Sequence, residues 1–114
     1  MKVLITGGLG FIGSNLINLL KRKKNIRKII VIDNQCKSNL NYIKEITKYK
    51  YYSNKKNYTN SQNKVIVINA DTRDFDFAKK ITKNIDAVIH LAAESGIDLS
   101  IQQPKESFDV NVLG

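Results

Sequence analysis

TGGLGFIGSN, residues 6–15, contains three glycines spaced three residues apart, Gly7, Gly10 and Gly13. The stretch directly follows an apolar run and opens a segment with helical periodicity. In that context the glycines allow a tight turn, a close approach of the backbone to a pyrophosphate, and close packing of helix on strand. Backbone N–H groups and the positive end of the helix can then bind a diphosphate. Because any tight turn favours glycine, the prediction of a dinucleotide-binding turn depends on the surrounding elements.

Four short runs in the chain are β-branched and apolar almost throughout, without alternating polar residues. Such runs are typical of strands that are covered on both faces, as in a parallel sheet. They are VLIT (3–6), KIIVID (28–33), KVIVIN (64–69) and DAVIHLAA (86–93). With helices between them, the order βαβαβαβα predicts right-handed crossovers and a doubly wound parallel α/β sheet of four strands. In the expected spatial order 3-2-1-4, strands one and four flank the crevice where ligands bind.

Helical segments are predicted between and after these strands. The first has apolar residues at i, i+4, i+7 and i+8 from Ile12 and basic residues in its last turn, which suit the helix dipole. The predicted helices are 12–24, 74–83 and 104–114, and residues 38–46 are compatible with a further helix. Residues 47–63 are polar and weakly patterned, so they are interpreted as a loop.

The composition indicates one globular domain and excludes several classes of protein. The chain has 114 residues, of which 42% are hydrophobic and 25% are charged, an ordinary balance for a domain with a core. No apolar run approaches the ~20 residues needed to cross a bilayer, and the N-terminus lacks a signal-peptide pattern. The single cysteine, Cys36, cannot form an internal disulfide, which fits a reducing compartment. We therefore expect a cytoplasmic protein.

The net charge of +9 is unevenly distributed along the chain. Residues 1–64 hold 14 Lys or Arg and 2 Asp or Glu, a balance of +12, whereas residues 65–114 hold 5 and 8, a balance of −3. A basic half can attract nucleic acid. No helix-turn-helix or aromatic RNA-binding motif accompanies the lysines, however, and scattered lysines are common on solvated surfaces. Weak nucleic-acid binding is the less favoured alternative function.

Asp33 lies twenty residues after Gly13, at the end of the second predicted strand. A carboxylate there can accept hydrogen bonds from the adenosine ribose and repels a 2′-phosphate, which predicts NAD as the cofactor rather than NADP. Asp33 could instead merely begin a turn with Asn34, and Lys37 could soften the repulsion. The cofactor interpretation is favoured because the turn, the helix and the acid occur in the required order.

The ends of the third and fourth strands, NADTRD (69–74) and HLAAESG (90–96), are expected to face the same crevice as the glycines. Asp71 could accept a hydrogen bond from the adenine amino group, or could simply be an acid that precedes a helix. His90 is interpreted as packed or hydrogen-bonded at its strand end, because no second acid, base or metal ligand accompanies it. No metal site is predicted.

YKYYSNKK, residues 49–56, twice contains a tyrosine four residues before a lysine: Tyr51 with Lys55, and Tyr52 with Lys56. On a helix such a pair shares one face, where an ammonium can lower the pKa of a phenol for proton transfer. This part of the chain is so rich in tyrosine and lysine that the spacing is expected by chance. It also lies between strands two and three, near the adenosine end of the expected cofactor. Neither pair is predicted to be catalytic.

Together these motifs resemble the extended short-chain dehydrogenase/reductase family, in its NAD-dependent epimerase/dehydratase branch, which acts on nucleotide sugars. The matching stretches follow in order along nearly the whole chain. They are TGGLGFIGS (6–14), VIDN (31–34), ADTRD (70–74), DAVIHLAA (86–93) and SIQQPKESFDVNVLG (100–114), the last with Ser-x-x-x-Pro and Asn-x-x-Gly elements.

The resemblance implies an NAD site whose residues come from every part of the chain. The implied contacts are Gly7, Gly10, Phe11, Ile12 and Gly13 at the pyrophosphate, Asp33, Asn34, Lys37 and Ser38 at the adenosine ribose, Asp71 and Thr72 at adenine, Leu91, Ala92 and Ala93 along the crevice, and Asn111 on the nicotinamide side.

The resemblance also implies a reaction to which this chain would contribute only one part. Members of the family oxidise a sugar hydroxyl transiently, passing hydride to NAD while a tyrosine takes the proton, and then return the hydride. That tyrosine belongs to a Tyr-x-x-x-Lys helix after a further strand, with a Ser or Thr before it, and residues 1–114 contain no such segment. We therefore expect a partial Rossmann-type domain without catalytic residues, inactive alone, from a longer homodimeric enzyme with a C-terminal substrate-binding region. The alternative is a non-catalytic dinucleotide-binding module.

Overall fold

The computed structural model describes residues 1–35, 38–59 and 61–114, in which five strands form one sheet flanked by helices. The strands are β1 (Lys2–Thr6), β2 (Lys28–Asp33), β3 (Lys50–Tyr52), β4 (Val65–Asn69) and β5 (Ala87–His90). The helices are α1 (Phe11–Leu20), α2 (Asn41–Ile46), α3 (Phe75–Ile81), α4 (Ile97–Gln102) and α5 (Pro104–Phe108). A 3₁₀ turn lies at Lys55–Asn57, and a π-helical turn at Asp109–Leu113.

Neighbouring strands of the sheet are parallel and follow the order β3-β4-β2-β1-β5. In the central register, Val3 of β1 lies opposite Ile29 of β2 and, on its other side, Ala87 of β5. The doubly wound α/β class is confirmed, and so is the relative order of the four predicted strands. The carboxyl ends of β1, β2, β4 and β5 therefore lie along one edge of the sheet, as the predicted crevice requires.

Both faces of the sheet are covered, which explains the continuous apolar runs in the sequence. Successive residues of a strand point to opposite faces. Ile17 of α1 and Ile43 of α2 pack on one face, while Phe77 and Ile81 of α3 pack on the other. The sheet contributes Val3, Ile5, Ile29, Val31, Val65 and Val67 to the first core and Leu4, Ile30, Ile32, Ile66 and Ile68 to the second.

The edge strand β3 corrects the prediction of a four-stranded sheet and of a loop over residues 47–63. Its three residues pair in parallel with β4, so that Tyr52 lies opposite Ile68. Tyr52 is buried and makes an edge-to-face contact with Tyr58, with ring centroids 5.6 Å apart. A strand of three residues is too short to show a periodicity in the sequence. Its stability comes from pairing with β4 and from the burial of one tyrosine.

The helix ends differ from those predicted. α1 ends at Leu20 rather than at residue 24. After Leu20 the chain forms a turn, in which the Lys23 N–H donates to the Leu20 carbonyl, and Ile26 is then buried before β2 begins. The basic residues therefore follow the helix instead of forming its last turn. α3 begins directly after Asp74, whose carboxylate accepts a hydrogen bond from the Phe77 N–H at 3.0 Å. Such side-chain capping satisfies an N–H group that the helix leaves unpaired.

The segment after β5 contains a helix that was not predicted. α4 occupies Ile97–Gln102, and α5 then begins at Pro104, as expected for a proline in a first turn. The helix predicted over 104–114 continues only as a π-helical turn. None of the residues in these three elements is buried. This segment therefore lies on the surface, beside the carboxyl edge of the sheet.

Candidate functional site

A cleft of about 390 Å³ opens at the carboxyl ends of β1, β2, β4 and β5. It lies where crossovers leave the sheet toward opposite faces, the usual ligand position in open parallel sheets. Of the predicted site residues, all line this cleft except Lys37, which lies outside the described residues, and Asn111. The structure thus brings together, in one cavity, predicted site residues that are up to 86 positions apart in the chain, from Gly7 to Ala93.

The glycine turn is packed too tightly to accept side chains at two of its positions. Gly7 has a positive φ of 66°, and a Cβ there would lie 2.7 Å from the backbone nitrogen of Ala92. A Cβ on Gly13 would lie 2.5 Å from the Cα of Gly8. These contacts show that glycine is required both to turn the chain and to seat α1 against the turn.

The N-terminal end of α1 faces the cleft without a competing side chain. Its N-cap is Gly10, which has no side chain to accept a hydrogen bond from the first turn, and the first turn contains no acidic residue. Phe11, Ile12 and Gly13 of that turn all line the cleft. The unpaired N–H groups and the positive end of the helix dipole can therefore act on an anion.

Asp33 connects the glycine turn to the loop that follows β2. Its carboxylate is buried and accepts a hydrogen bond from the Leu9 N–H at 3.0 Å through Oδ2. Oδ1 accepts from the Gln35 N–H at 2.8 Å and from the Ser38 hydroxyl at 2.9 Å. Asp33 therefore does begin a turn, and it also lines the cleft. The two interpretations offered by the sequence are compatible.

Asp71 forms part of the cleft wall and is held by Arg73. The Arg73 guanidinium donates from Nε to Oδ1 at 3.0 Å and from Nη2 to Oδ2 at 2.7 Å. These hydrogen bonds lower the pKa of the Asp71 carboxyl below its ordinary value, with a smaller contribution from Asn34. The interpretation of Asp71 as the acid that precedes a helix is not supported, because Asp74 is the residue that caps α3.

The end of β5 is tied to β1 through the Thr6 hydroxyl. Thr6 Oγ1 lies 2.7 Å from His90 Nδ1 and accepts a hydrogen bond from the Ala92 N–H at 3.2 Å. His90 is thus hydrogen-bonded at its strand end, as predicted, and it does not line the cleft. The contact places Leu91–Ala93, which do line the cleft, beside the glycine turn.

Asn111 occupies a different position from the other predicted residues. Its side-chain oxygen accepts from the Glu94 N–H at 2.7 Å, and its amide nitrogen donates to the Glu94 carbonyl at 3.0 Å. The Asn111 side chain therefore hydrogen-bonds the backbone of the loop after β5 and does not line the cleft.

Six further residues line the cleft that sequence reasoning did not name individually. Two of them, Glu94 and Glu106, bring carboxylates into the wall contributed by the segment after β5. The six are Ile32, Ala70, Glu94, Ser95, Glu106 and Val110. Glu106 and Val110 lie within the matching stretch 100–114, so the resemblance indicated their segment but not their positions.

The two Tyr/Lys pairs do not form a site in the described part of the chain. Tyr51 lies in β3, where its hydroxyl accepts from Gln35 Nε2 at 2.9 Å, whereas Lys55 lies in the 3₁₀ turn and pairs with Asp74. The Tyr52 hydroxyl donates to the Thr59 carbonyl at 3.0 Å. These residues do not line the cleft. The tyrosines of the two pairs therefore belong to the edge strand, and the lysines belong to the 3₁₀ turn that follows it.

Residues 1–35, 38–59 and 61–114 contain neither a cluster of metal ligands nor a membrane-spanning helix. No three His, Cys, Asp or Glu side chains lie close enough together there to hold a metal ion. None of the helices in that part is both long and apolar enough to span a membrane.

Comparison with known proteins relates the chain to nucleotide-sugar enzymes. It is 30% identical over 116 residues to a UDP-glucose 4-epimerase of Neisseria meningitidis serogroup B, covering 99% of this chain and 30% of that protein. It is 26% identical over 114 residues to a dTDP-glucose 4,6-dehydratase of Mycobacterium tuberculosis, again covering 30% of that protein. The chain thus spans less than a third of the length of these curated relatives.

Solved structures and a family model agree with these relatives. The fold matches the dTDP-glucose 4,6-dehydratase of Streptomyces venezuelae, a structure with NAD bound, with a TM-score of 0.77, 26% identity, and coverage of 99% of this chain and 33% of that chain. A family model described as GDP-mannose 4,6 dehydratase matches residues 4–114. The resemblance read from the motifs is confirmed, and the chain belongs to the GDP-mannose 4,6 dehydratase family of epimerases and dehydratases.

Proposed function

We propose that residues 1–114 hold NAD in the cleft, as the cofactor-binding portion of a nucleotide-sugar epimerase or dehydratase. The names of the relatives support the substrate class, and the NAD bound in the Streptomyces venezuelae structure supports the cofactor. The chain covers only part of those proteins, so the activity of the whole protein is part of the proposal.

One observation carries the proposal: the two groups that recognise an ADP moiety meet in the same cleft. The uncapped end of α1 can bind a diphosphate, and Asp33 can accept the ribose hydroxyls. The hydrogen bond from the Leu9 N–H to Asp33 Oδ2, at 3.0 Å, joins the glycine turn directly to this carboxylate. Glycine is required at Gly7 and Gly13 for this turn to form, because a side chain would collide with the backbone of Ala92 or of Gly8.

NAD, when bound, supplies the hydride acceptor and donor of the family's reaction. The residues of this chain would bind and orient it. Asp33 would favour NAD over NADP because its carboxylate repels a 2′-phosphate. The proton-transferring Tyr and Lys, and the sugar-binding region, are proposed to lie outside residues 1–114, since the Tyr51 and Tyr52 hydroxyls are engaged at the edge strand. A cytoplasmic location and homodimerisation of the whole protein stay predictions.

The test is calorimetric titration of the 114-residue chain with NAD and with NADP, after circular dichroism has established that the sample is folded. We expect saturable NAD binding at one site. Asp33→Ala should weaken NAD binding by about ten- to a hundredfold, because hydrogen bonds to a charged group contribute about 1.5–3 kcal/mol. NADP binding should be weakened less.

Asp98→Ala is the matched control, since Asp98 is an exposed acid of α4 that does not line the cleft. It should leave both titrations unchanged. A folded wild-type sample that shows no saturable binding at millimolar NAD would rule out the proposed function.

A further inference from the structure

One arginine outside the cleft binds two carboxylates of its wall. Arg73 donates to both oxygens of Asp71, as described above, and its Nη1 donates to Glu106 Oε1 at 2.8 Å. The backbone N–H of Arg73 adds a further hydrogen bond to Asp71 Oδ1 at 2.9 Å. Asp71 and Glu106 both line the cleft, whereas Arg73 does not. The guanidinium therefore lies behind the wall and joins the loop after β4 to α5.

We propose that Arg73 is a positioning residue for the adenine end of the cleft, which fixes the Asp71 carboxylate and anchors α5 as the adjoining wall. The inference rests on the proposed function, in which the cleft holds NAD and Asp71 accepts the adenine amino group. Arg73 acts through its two partners and does not touch the cofactor.

Arg73 fixes the orientation of the Asp71 carboxylate. Two parallel N–H donors from a planar guanidinium fix a carboxylate in one plane, which a single-point contact cannot do. With three hydrogen bonds from Arg73 in place, and Asn34 bonded to the same carboxylate, at most one lone-pair direction of Asp71 is left for a ligand. A directed acceptor of this kind can distinguish an amino group from a carbonyl oxygen on the ligand.

Arg73 also anchors the wall that the segment after β5 contributes to the cleft. α4, α5 and the following π-helical turn contain no buried residue, so little apolar burial holds them to the sheet. The ion pair of Arg73 with Glu106 links residues 33 positions apart and joins this segment to the body of the domain. Its loss should leave the wall more mobile and let a bound ligand leave faster.

Two dinucleotides that differ at position 6 of the purine, and in the proton that N1 then carries, provide the decisive readout. Nicotinamide hypoxanthine dinucleotide has a carbonyl oxygen where NAD has the amino group. Both would be titrated by displacement of NADH fluorescence. Wild type should bind NAD more tightly, and Arg73→Ala should reduce the ratio of the two affinities by about three- to tenfold, the range expected for a partly exposed but bidentate ion pair.

The affinity ratio separates positioning from a general structural role. If Arg73→Ala weakens both dinucleotides equally, or if wild type does not distinguish them, the inference is wrong. Arg73→Lys keeps the charge without the planar fork, so it should restore only part of the ratio. Arg22→Ala is the control, because Arg22 is exposed beyond the far end of α1, about 15 Å from the first turn along the helix axis.

A second variant tests the wall separately from Asp71. Glu106→Ala removes only the carboxylate of α5 that Arg73 contacts, on an exposed side chain, and should fold normally. It should leave the affinity ratio unchanged and accelerate NADH dissociation by about threefold or more in stopped-flow displacement with excess NAD. An unchanged dissociation rate would contradict the anchoring role.

Failure of this inference can be distinguished from failure of the proposed function. No binding of NAD or NADH by folded wild type would overturn both. Normal wild-type binding with unaltered Arg73→Ala and Glu106→Ala variants would overturn the inference alone.

Discussion

Asp33 accepts hydrogen bonds from two loops that border the cleft, through the Leu9 N–H on one side and the Gln35 N–H on the other. A buried carboxylate with these partners stabilises the loop arrangement, because a buried polar group is costly unless it is hydrogen-bonded. Asp33 also lines the cavity. At the scale of the single residue, the fold and the ligand site therefore depend on one side chain.

Gly13→Ala should destabilise the protein although alanine is the better helix former. The added Cβ would lie 2.5 Å from the Gly8 Cα, which is backbone and cannot rotate away. We expect a loss of about 1–3 kcal/mol in the free energy of unfolding, as for other overpacked sites. Urea unfolding followed by far-UV circular dichroism measures it.

Gly10→Ala provides the matched comparison in the same turn. Its Cβ would approach only the Gly7 carbonyl oxygen, at 3.4 Å, and its φ of −71° suits any residue. The loss should be below about 1 kcal/mol, the usual range for an N-cap change. Equal losses for the two variants would contradict the packing argument.

The lowered pKa of Asp71 predicts a pH dependence of stability with a definite sign. A carboxyl whose pKa is lower in the folded state stabilises the protein fully above its unfolded pKa of about 4, and this contribution is lost as the pH falls through the lowered folded value. Asp71→Asn should therefore be less stable than wild type at pH 7, and the difference should shrink as the pH falls below about 4. Thermal melts across this range would show it, and a constant difference would be the contrary result.

At the scale of the secondary-structure element, β3 depends on its neighbours more than on its own sequence. Tyr52 packs against Tyr58 and donates its hydroxyl proton to Thr59, while Tyr51 contacts Gln35 on the opposite side. Because successive side chains of a strand point to opposite faces of the sheet, the two tyrosines contact different partners. This is also why neither tyrosine can share a helical face with the lysine four residues later.

Tyr52→Ala should cost about 3 kcal/mol in the free energy of unfolding, because a buried ring is removed from the edge of the sheet. Tyr51→Phe removes only the hydroxyl that Gln35 contacts and should cost about 1 kcal/mol or less. Tyr42→Ala, at an exposed position of α2, serves as the control. Chemical denaturation would give all three values; a Tyr51→Phe effect as large as that of Tyr52→Ala would refute this description of β3.

At the scale of the whole molecule, the cleft is lined by acids and not by the Lys and Arg residues that the structure describes. The described residues that line the cleft include the acids Asp33, Asp71, Glu94 and Glu106 and no Lys or Arg. Lys2, Arg27 and Lys28 instead line a separate cavity of about 310 Å³, with Ser61 and Gln62. A diphosphate in the cleft would therefore be bound mainly by backbone N–H groups and the helix dipole, without ion pairs to these lysines.

This separation predicts a weak salt dependence of NAD binding. The NAD dissociation constant should change by less than about threefold between 50 and 200 mM NaCl, because few counterions are released. Nucleic acid bound through six to ten phosphate contacts would weaken by about 10³ to 10⁵ over the same range. Calorimetric titrations at the two salt concentrations measure the effect, and a steep decline for NAD would show that the lysines take part.

Most of the architecture could be predicted because it depends on local patterns. The continuous apolar runs of β1, β2, β4 and β5 require cover on both faces, and Asp74 and Pro104 mark helix starts by their own chemistry. β3 and α4 escaped prediction because both are short, and because α4 has no buried residue that would give it an apolar pattern. The end of α1 at Leu20 was missed because it depends on the burial of Ile26.

The pattern of residues was sufficient for the parallel α/β class, the glycine turn and the acid at the end of β2, since each requires particular residue types at fixed spacing. Only the tertiary structure revealed that Arg73 joins Asp71 to Glu106, that Asn111 holds the backbone of Glu94, and that none of the described Lys and Arg residues lines the cleft. These arrangements are contacts between side chains far apart in the chain. No local periodicity encodes them, because their partners become neighbours only when the crossovers bring the carboxyl ends of the strands to one edge of the sheet.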